Sequence, residues 1–322
     1  MFKVFITRLI PQEGIDLLKE HCLVEVNPHD RPLSREELLH KIKDRDGVIG
    51  LLTDKIDAGF FEAAPALKGY ANFAVGFDNI DVPEAARRGI PVSNTPEVLT
   101  LATAEAAWAL LFAAARRVAE TDSIMRSGAW PGWGPLQFIG ADVSGKTLGI
   151  VGAGRIGTAV ALMSRGFDMR VLYCDEVRSS LLEKELKAEK AEFNRLLAES
   201  DFISVHVPLL PGTRHLFDAD AFKAMKKSAF IINTSRGPVI KEDDLVQALK
   251  NGEIAGAGLD VYENEPAMAP GLAECQNAVL LPHIGSATQS SRAGMATVAA
   301  TNLLAMLKGE RAPNCLNPEI YD

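Results

Sequence analysis

Three segments of this chain end an apolar run with a side chain that can bind or move charge. Arg236 follows residues 230–232, Glu265 comes shortly after residues 256–259, and His283 follows residues 279–281. Arginine presents a planar fork that suits a carboxylate. Histidine titrates near neutral pH, so it can donate or accept a proton. An arginine, a carboxylate and a histidine at strand ends indicate a site for an acidic substrate and a proton transfer.

A glycine motif precedes all three segments. Gly152, Gly154 and Gly157 form the pattern G-x-G-x-x-G between an apolar run at 148–151 and a helical pattern at 158–163. The first glycine permits a tight turn, the second lets the backbone approach a pyrophosphate, and the third lets helix and strand pack closely. Free N–H groups at the helix start offer an anion site. The pattern alone is weak evidence for a dinucleotide, and its context must support it.

Asp175 supplies part of that context. It ends a second predicted strand at 169–174, and an acidic residue about 20 residues past the glycines hydrogen-bonds a ribose 2′-OH in dinucleotide-binding folds. A 2′-phosphate would meet the negative charge of the carboxylate. We therefore predict NAD as cofactor, with NADH preferred. Arg178 lies near enough to soften that preference, so NADPH is not excluded, and a solvated strand-end aspartate is the alternative.

The elements that must position these residues alternate along the chain. Before the glycine motif, strands are predicted at 3–6, 23–26, 47–52, 69–73 and 91–92, and helices at 11–20, 34–43, 57–64 and 82–88. After it, strands are predicted at 148–151, 169–174, 202–207, 229–233, 256–259 and 279–281. This alternation is typical of parallel α/β sheets. We predict two doubly wound, Rossmann-like domains with an interdomain cleft.

The predicted boundaries assign residues 1–98 plus 287–322 to a substrate (catalytic) domain and residues 99–286 to an NAD-binding domain. An apolar helix at 100–126 is expected to be buried between domains or between subunits. The following loop at 127–135 holds Trp130 and Trp133, and exposed tryptophans are costly unless they meet a partner or ligand. A last helix at 289–307 is expected to return to the first domain.

Bulk properties exclude several classes of function. With 34 Lys and Arg against 42 Asp and Glu, the net charge of −8 gives no reason to expect a nucleic-acid or anionic-membrane partner. The four cysteines show no C-x-x-C spacing, which argues against a disulfide framework and fits a reducing compartment. Neither a signal peptide nor a membrane span is visible. We predict a soluble cytoplasmic protein, and no metal because close His/Glu spacing is lacking.

The motifs together resemble the D-isomer-specific 2-hydroxyacid dehydrogenases over nearly the whole chain. The resemblance rests on the glycine motif, on residues 75–81, and on the three strand-end segments 233–237, 258–266 and 280–286. Residues 93–100 and 133–136 are most similar to glyoxylate/hydroxypyruvate reductases. Many of those reductases carry Arg or Ser in place of Asp175 and prefer NADP. This departure puts their usual cofactor in doubt here.

The resemblance implies hydride transfer between C4 of the nicotinamide and C2 of a small 2-keto or 2-hydroxy acid. His283 would be the acid in reduction and the base in oxidation, and Glu265 would pair with its imidazolium form and orient it. Arg236 would bind the substrate carboxylate and polarise the ketone. The backbone amides of Val75 and Gly76 would complete the binding of that carboxylate.

Further site residues follow from the resemblance. The implied cofactor contacts are Thr103, Gly152, Gly154, Arg155, Ile156, Gly157, Asp175, Val207, Pro208, Thr213, Thr234, Ser235, Asp260 and Gly285. In hydroxypyruvate reductases, a tryptophan in the place of Trp133 reaches the substrate pocket of the neighbouring subunit. A dimer contact without substrate contact is the alternative, and both readings predict a homodimer.

Plainer interpretations remain beside these roles. His283 could be structural, Arg236 a surface ion-pair partner, and Glu265 a solvated carboxylate, with Glu263 close enough to take its place. His206 is expected near the cofactor without a catalytic role. The other histidines lack a converging partner and are predicted to be surface residues: His21, His29, His40 and His215. The alternative functions are another D-2-hydroxyacid dehydrogenase, such as one acting on 3-phosphoglycerate, and an NAD-sensing, corepressor-like binding protein.

Overall fold

The computed structural model describes residues 1–322, in which strands and helices alternate and the chain divides into two units. The first unit comprises residues 1–99 and 287–322, and the second comprises residues 100–286. Each unit is built around one parallel sheet, of five and seven strands respectively. The predicted α/β class with two parallel sheets is therefore confirmed.

The first unit has the strand order β2-β1-β3-β4-β5. Its elements are β1 (Phe2–Ile6), α1 (Gln12–Lys19), β2 (Cys22–Val26), α2 (Arg35–Lys41), β3 (Gly47–Gly50), α3 (Ala58–Ala63), β4 (Gly69–Asn72), α4 (Val82–Arg87), β5 (Val92–Ser93) and α12 (Gln289–Leu307). Ser34 begins α2 with a capping box to Glu37, which satisfies N–H groups that a helix start leaves open. Gly14 lets α1 approach α12, because a Cβ there would lie 2.5 Å from the Ala296 carbonyl oxygen.

The second unit has the strand order β12-β11-β10-β9-β6-β7-β8. Its elements are α5 (Thr100–Ala115), α6 (Val118–Ser127), β6 (Thr147–Val151), α7 (Arg155–Met163), β7 (Arg170–Cys174), α8 (Ser180–Leu186), β8 (Glu189–Lys190), α9 (Phe193–Glu199), β9 (Phe202–Val205), α10 (Ala219–Ala224), β10 (Phe230–Asn233), α11 (Glu242–Asn251), β11 (Gly256–Leu259) and β12 (Ala278–Leu280). The order reverses between β6 and β9, and ligands of open α/β sheets bind outside such a reversal.

Two apolar clusters cover the faces of this second sheet. Ile231 belongs to one cluster, whereas its strand neighbours Phe230 and Ile232 belong to the other. Successive strand residues point to opposite faces, so both faces are buried, as parallel sheets require. None of the helices combines the length and the apolar character needed to cross a bilayer.

The predicted single helix at 100–126 is wrong. The structure has two helices, because Arg117 adopts a left-handed conformation with φ 56° between α5 and α6. Helix α5 packs within its own unit, where a Cβ on Gly258 of β11 would lie 2.9 Å from Leu110 Cβ. Helix α6 buries no residue. The apolar circumference of α5 is thus explained by the sheet of the same unit.

Candidate active site

The segments bearing Arg236, Glu265 and His283 leave one edge of the second sheet. Strands β10, β11 and β12 run parallel and in register, with Asn233 opposite Leu259 and Leu259 opposite Leu280. Parallel strands place their carboxyl ends at the same edge. The glycine loop follows β6 of the same parallel sheet, so it leaves that edge as well.

His283 and Glu265 form a hydrogen-bonded pair. The distance from His283 Nδ1 to Glu265 Oε2 is 2.9 Å, and 28% and 31% of the two side chains are exposed. The N–H of Tyr262 donates to Glu265 Oε1 at 3.1 Å. Burial raises the pKa of Glu265, but the hydrogen bonds and the charges of His283 and Arg236 outweigh it and lower that pKa. Glu265 is therefore a carboxylate that binds Nδ1 of His283. Its position leaves Nε2 of His283 available to a ligand.

The turn that carries Arg236 is held by a buried amide. Asn233 is 1% exposed, and its Nδ2 donates to the Arg236 carbonyl at 3.0 Å. Its Oδ1 accepts from the Ser235 N–H at 2.9 Å and from the Ser235 hydroxyl at 2.7 Å. Arg236 Nη1 donates to the Ser235 carbonyl at 2.8 Å. The sequence analysis did not predict this role of Asn233. The signal that could have indicated it is an amide side chain at the end of a buried strand.

Tyr262 connects the strand ends of Glu265 and His283. Its hydroxyl donates to the Leu281 carbonyl at 2.9 Å, while its N–H donates to Glu265 as described. Burial raises the pKa of Tyr262 to about 12, so the phenol stays protonated and remains a donor at neutral pH. This residue was not predicted to belong to the site, because its contact depends on the pairing of β11 with β12.

Asp260 fixes the backbone that follows His283. Its Oδ1 accepts from the Ile284 N–H and its Oδ2 from the Gly285 N–H, each at 2.7 Å. Burial raises the pKa of Asp260, and the two N–H donors only partly offset this rise. His283 has φ 55°, a conformation that is uncommon for a residue with a side chain. The two hydrogen bonds therefore hold His283 in a conformation that it would not adopt on its own.

Gly237 is required by a close backbone approach. A Cβ at this position would lie 1.8 Å from the Tyr262 carbonyl oxygen.

Gly237→Ala should lower the free energy of unfolding by about 1–3 kcal/mol and reduce turnover, because the Arg236 and Glu265 segments must separate. Urea unfolding measures the first effect. Gly166→Ala is the matched control, since nothing lies within 4 Å of a Cβ there; equal stability of the two variants would contradict the packing argument.

The glycine loop is tight where the motif predicts closeness and open at its middle glycine. Gly152 has φ 94°, and a Cβ there would lie 2.8 Å from the His206 carbonyl carbon and from the Val207 nitrogen. A Cβ on Gly157 would lie 2.0 Å from the Gly152 carbonyl oxygen. Gly154 begins α7 without a side-chain cap and has nothing within 4 Å of its Cβ position. The start of α7 is thus accessible to an anion.

Asp175 lies against this loop. Its Oδ2 accepts from the Ala153 N–H at 2.7 Å and its Oδ1 accepts from the Val177 N–H at 3.0 Å. A carboxylate has about four lone-pair positions, so these two bonds leave Asp175 able to accept from a hydroxyl group. The carboxylate is half-buried, and its contact with a ribose stays a prediction.

Other predicted cofactor residues lie in loops of the second unit or in its helices α5 and α7. Thr213 closes the loop after β9 by donating to the Pro208 carbonyl at 2.6 Å and accepting from the Leu210 N–H at 2.8 Å. Thr234 has a buried hydroxyl without a protein partner, which fits a hydrogen bond to a bound group. The remaining members lie nearby or at the start of α7: Thr103 beside Gly285, half-buried Val207, and Arg155 and Ile156 in the first turn.

In the first unit, three asparagines hold the loop of Val75 and Gly76. Asn94 Nδ2 donates to the Val75 carbonyl at 2.7 Å. Asn72 Nδ2 donates to the Gly76 carbonyl at 2.9 Å and to Asn79 Oδ1 at 3.2 Å. Both carbonyls are therefore fixed, which in turn fixes the directions of the neighbouring N–H groups.

Comparisons with known proteins decide the family. The model of the D-isomer specific 2-hydroxyacid dehydrogenase, NAD binding domain, matches residues 108–285. The chain belongs to the D-isomer-specific 2-hydroxyacid dehydrogenase family. A glyoxylate reductase of Thermococcus gammatolerans is 51% identical over 322 residues, covering 99% of this chain and 96% of that protein. One from Thermococcus kodakarensis is 52% identical, with 99% and 97% covered.

A solved structure of this dehydrogenase family agrees with the fold. The NADPH-dependent glyoxylate/hydroxypyruvate reductase of Sinorhizobium meliloti, in complex with NADP and malonate, superimposes with a TM-score of 0.85 at 31% identity. The match covers 98% of this chain and 97% of that one. The predicted resemblance and the oxidoreductase class are confirmed, and the family match supports use of NAD(P).

Two histidines of this dehydrogenase differ from simple surface residues. His206 Nε2 lies 2.8 Å from the Ser204 hydroxyl oxygen, and burial lowers the pKa of His206 to about 3, so it is neutral. The prediction that His215 lacks a partner is wrong, because its Nε2 lies 2.6 Å from Glu263 Oε1. Glu263 is therefore engaged by His215 and Glu265 by His283, which removes the ambiguity between the two glutamates.

Proposed function

We propose that this dehydrogenase reduces glyoxylate or hydroxypyruvate to the corresponding 2-hydroxy acid, of D configuration where C2 is chiral, with NADH as reductant. The observation that carries the proposal is the His283–Glu265 hydrogen bond, at the sheet edge that the Arg236 segment also leaves. The Thermococcus relatives are named glyoxylate reductases, which supports a small 2-keto acid as substrate. We further propose that the second unit binds the cofactor and that the first unit, through Val75 and Gly76, binds substrate.

Bound NADH supplies a hydride to the keto carbon. Arg236 binds the substrate carboxylate with its planar guanidinium and draws electron density toward the carbonyl oxygen. As that oxygen gains negative charge, His283 gives it the proton from Nε2. Glu265 stabilises the imidazolium beforehand through Nδ1. The keto carbon thus gains one hydride and its oxygen one proton, and His283 recovers a proton from solvent before the next turnover.

A substrate panel tests this proposal. The purified protein should oxidise NADH faster with glyoxylate or hydroxypyruvate than with pyruvate or 3-phosphohydroxypyruvate. A preference for 3-phosphohydroxypyruvate would favour a 3-phosphoglycerate dehydrogenase instead. Absence of turnover with every 2-keto acid, together with tight NADH binding, would favour the NAD-sensing binding protein.

The preference for NADH is proposed to come from the charge of Asp175. Asp175→Ala should lower the ratio of kcat/KM for NADH to kcat/KM for NADPH by about tenfold, a change of about 1.4 kcal/mol. The ratio isolates the effect of charge, because loss of the bond to Ala153 affects both cofactors alike. Asp142→Ala, which removes an exposed carboxylate elsewhere in the unit, is the control. A wild-type protein that already favours NADPH would contradict the proposal.

A homodimer is proposed from the exposed apolar side chains between residues 101 and 139. These include Leu101 at 63% exposure, Met125 at 57%, and Trp133 and Leu136 at 83% each. Exposed apolar patches mark interaction sites, and we propose that these side chains form one, with Trp133 reaching the partner's substrate. Sedimentation at micromolar concentration should give twice the chain mass, and a monomeric mass would contradict the proposal.

We also propose that the protein is located in the cytoplasm. Its four cysteines are free, which fits a reducing compartment.

A further inference from the structure

We propose that Glu242 is a positioning residue of this active site. Its buried carboxylate holds both ends of the segment at 263–269 and thereby sets the position of Glu265 against His283. The kinetic part of this inference rests on the proposed function, whereas its structural part does not. Glu242 lies at the start of α11, and its hydrogen bonds go to Glu263 and Ala269.

The carboxylate of Glu242 bridges two backbone positions that flank Glu265. Its Oε1 accepts from the Glu263 N–H, and its Oε2 accepts from the Ala269 N–H at 2.7 Å. Between these anchors, Asn264 and Ala267 form an isolated antiparallel bridge. The segment is thus a short loop closed by one side chain, with Glu265 inside it.

A second carboxylate returns the contact. Glu263 Oε2 accepts from the Glu242 N–H at 3.2 Å, so each glutamate side chain binds the backbone of the other. Glu263 Oε1 lies 2.6 Å from His215 Nε2 and 4.0 Å from Arg214 Nη2. Glu263 is thus bound by the segment after β9, and the loop of Glu265 is fixed both to that segment and to α11.

The environment of Glu242 is costly for a charge unless these bonds are made. The residue is 3% exposed. Burial raises the pKa of Glu242, the N–H donors of Glu263 and Ala269 lower it, and the charges of Glu263 and Asp243 raise it further, so the net pKa is raised. Without the carboxylate of Glu242, the N–H groups of Glu263 and Ala269 would lose their acceptor, and an unsatisfied buried donor is costly. Glutamine cannot replace it, because an amide nitrogen would face one of the two N–H groups.

The variant Glu242→Gln tests the inference against Asp243→Asn. Asp243 is the next residue of the same helix turn and is exposed, so its replacement makes the same change of charge without touching the loop. We expect Glu242→Gln to lower kcat about 10- to 100-fold, since a displacement of about 1 Å can cost 10²-fold. The dissociation constant of NADH should not change in either variant.

A double-mutant cycle separates positioning from general damage. If Glu242 acts through Glu265, then Glu242→Gln should cause no further loss of kcat in a Glu265→Ala background. Losses that multiply in the double variant would overturn the inference, because they would show that Glu242 acts by another route. If Glu242→Gln does not fold, Glu242→Asp takes its place with the same expectations, since its shorter side chain cannot reach both N–H groups.

Amide hydrogen exchange gives a measurement that needs no turnover. Exchange in peptides covering 262–270 should be faster in Glu242→Gln than in the wild type, and unchanged in Asp243→Asn. Unchanged exchange in a folded Glu242→Gln would overturn the inference. A wild type without reductase activity would instead overturn the proposed function, while the exchange data would still decide whether Glu242 holds the loop.

Discussion

Replacing His283 by alanine should lower kcat for glyoxylate reduction by about 10²- to 10⁴-fold, the usual contribution of a positioned acid. The dissociation constant of NADH should stay the same, because the fold of the glycine loop does not involve His283. The side chain can be removed without emptying the core, since 28% of it is exposed and its hydrogen bond to Glu265 is the contact it makes through Nδ1.

Stopped-flow reduction and NADH titration together measure both quantities. His21→Ala is the matched control, because His21 is exposed and lies in the other unit. Weakened NADH binding with kcat preserved would show that His283 is structural. In that case, the pairing of His283 with Glu265 would serve the shape of the strand end and not the transfer of a proton.

Arg236→Lys should lower kcat/KM for glyoxylate by about 10- to 200-fold, although the charge is kept. The lysine ammonium cannot reproduce the planar fork that matches a carboxylate. A hydrogen bond to a charged group contributes about 1.5–3 kcal/mol, and each 1.36 kcal/mol is tenfold in rate. The loss should appear in KM for the keto acid as well as in kcat, because the same fork binds the carboxylate and polarises the ketone.

Steady-state kinetics with glyoxylate and with NADH varied in turn measure this effect. Arg165→Lys provides the control, since Arg165 pairs with Glu185 on the surface. An Arg236→Lys enzyme with a normal KM for the keto acid would mean that another cation binds the substrate carboxylate. The contact of Arg236 Nη1 with the Ser235 carbonyl would then be its main role.

Local patterns predicted the glycine loop and every strand except β8, because their signals are short in sequence. Gly152, Gly154 and Gly157 lie between the end of β6 and the first turn of α7, and the structure gives each the spacing that the motif requires. The bounds of α12, Gln289–Leu307, match the predicted Ala-rich helix at 289–307. Helix α5 was predicted too long, because a left-handed Arg117 leaves no mark on an Ala-rich pattern.

Contacts set by tertiary register were not predictable in the same way. His215 contacts Glu263, which lies 48 residues away in the sequence, and no local pattern around either residue identifies the other. Tyr262 donates to the backbone carbonyl of Leu281, a group that any residue type would present. These contacts depend on which strands are neighbours in the sheet. The sequence predicts that the sheet is parallel but not the order of its strands. The residue types at the site could therefore be predicted from the sequence, whereas the groups that hold them in place could not.

The most direct test follows the hydride itself. The protein should convert hydroxypyruvate and NADH that carries deuterium at both C4 positions to D-glycerate carrying deuterium at C2, and His283→Ala should make little of this product under the same conditions. Product of L configuration, or D-glycerate without the label at C2, would contradict the account of hydride transfer beside the His283–Glu265 pair.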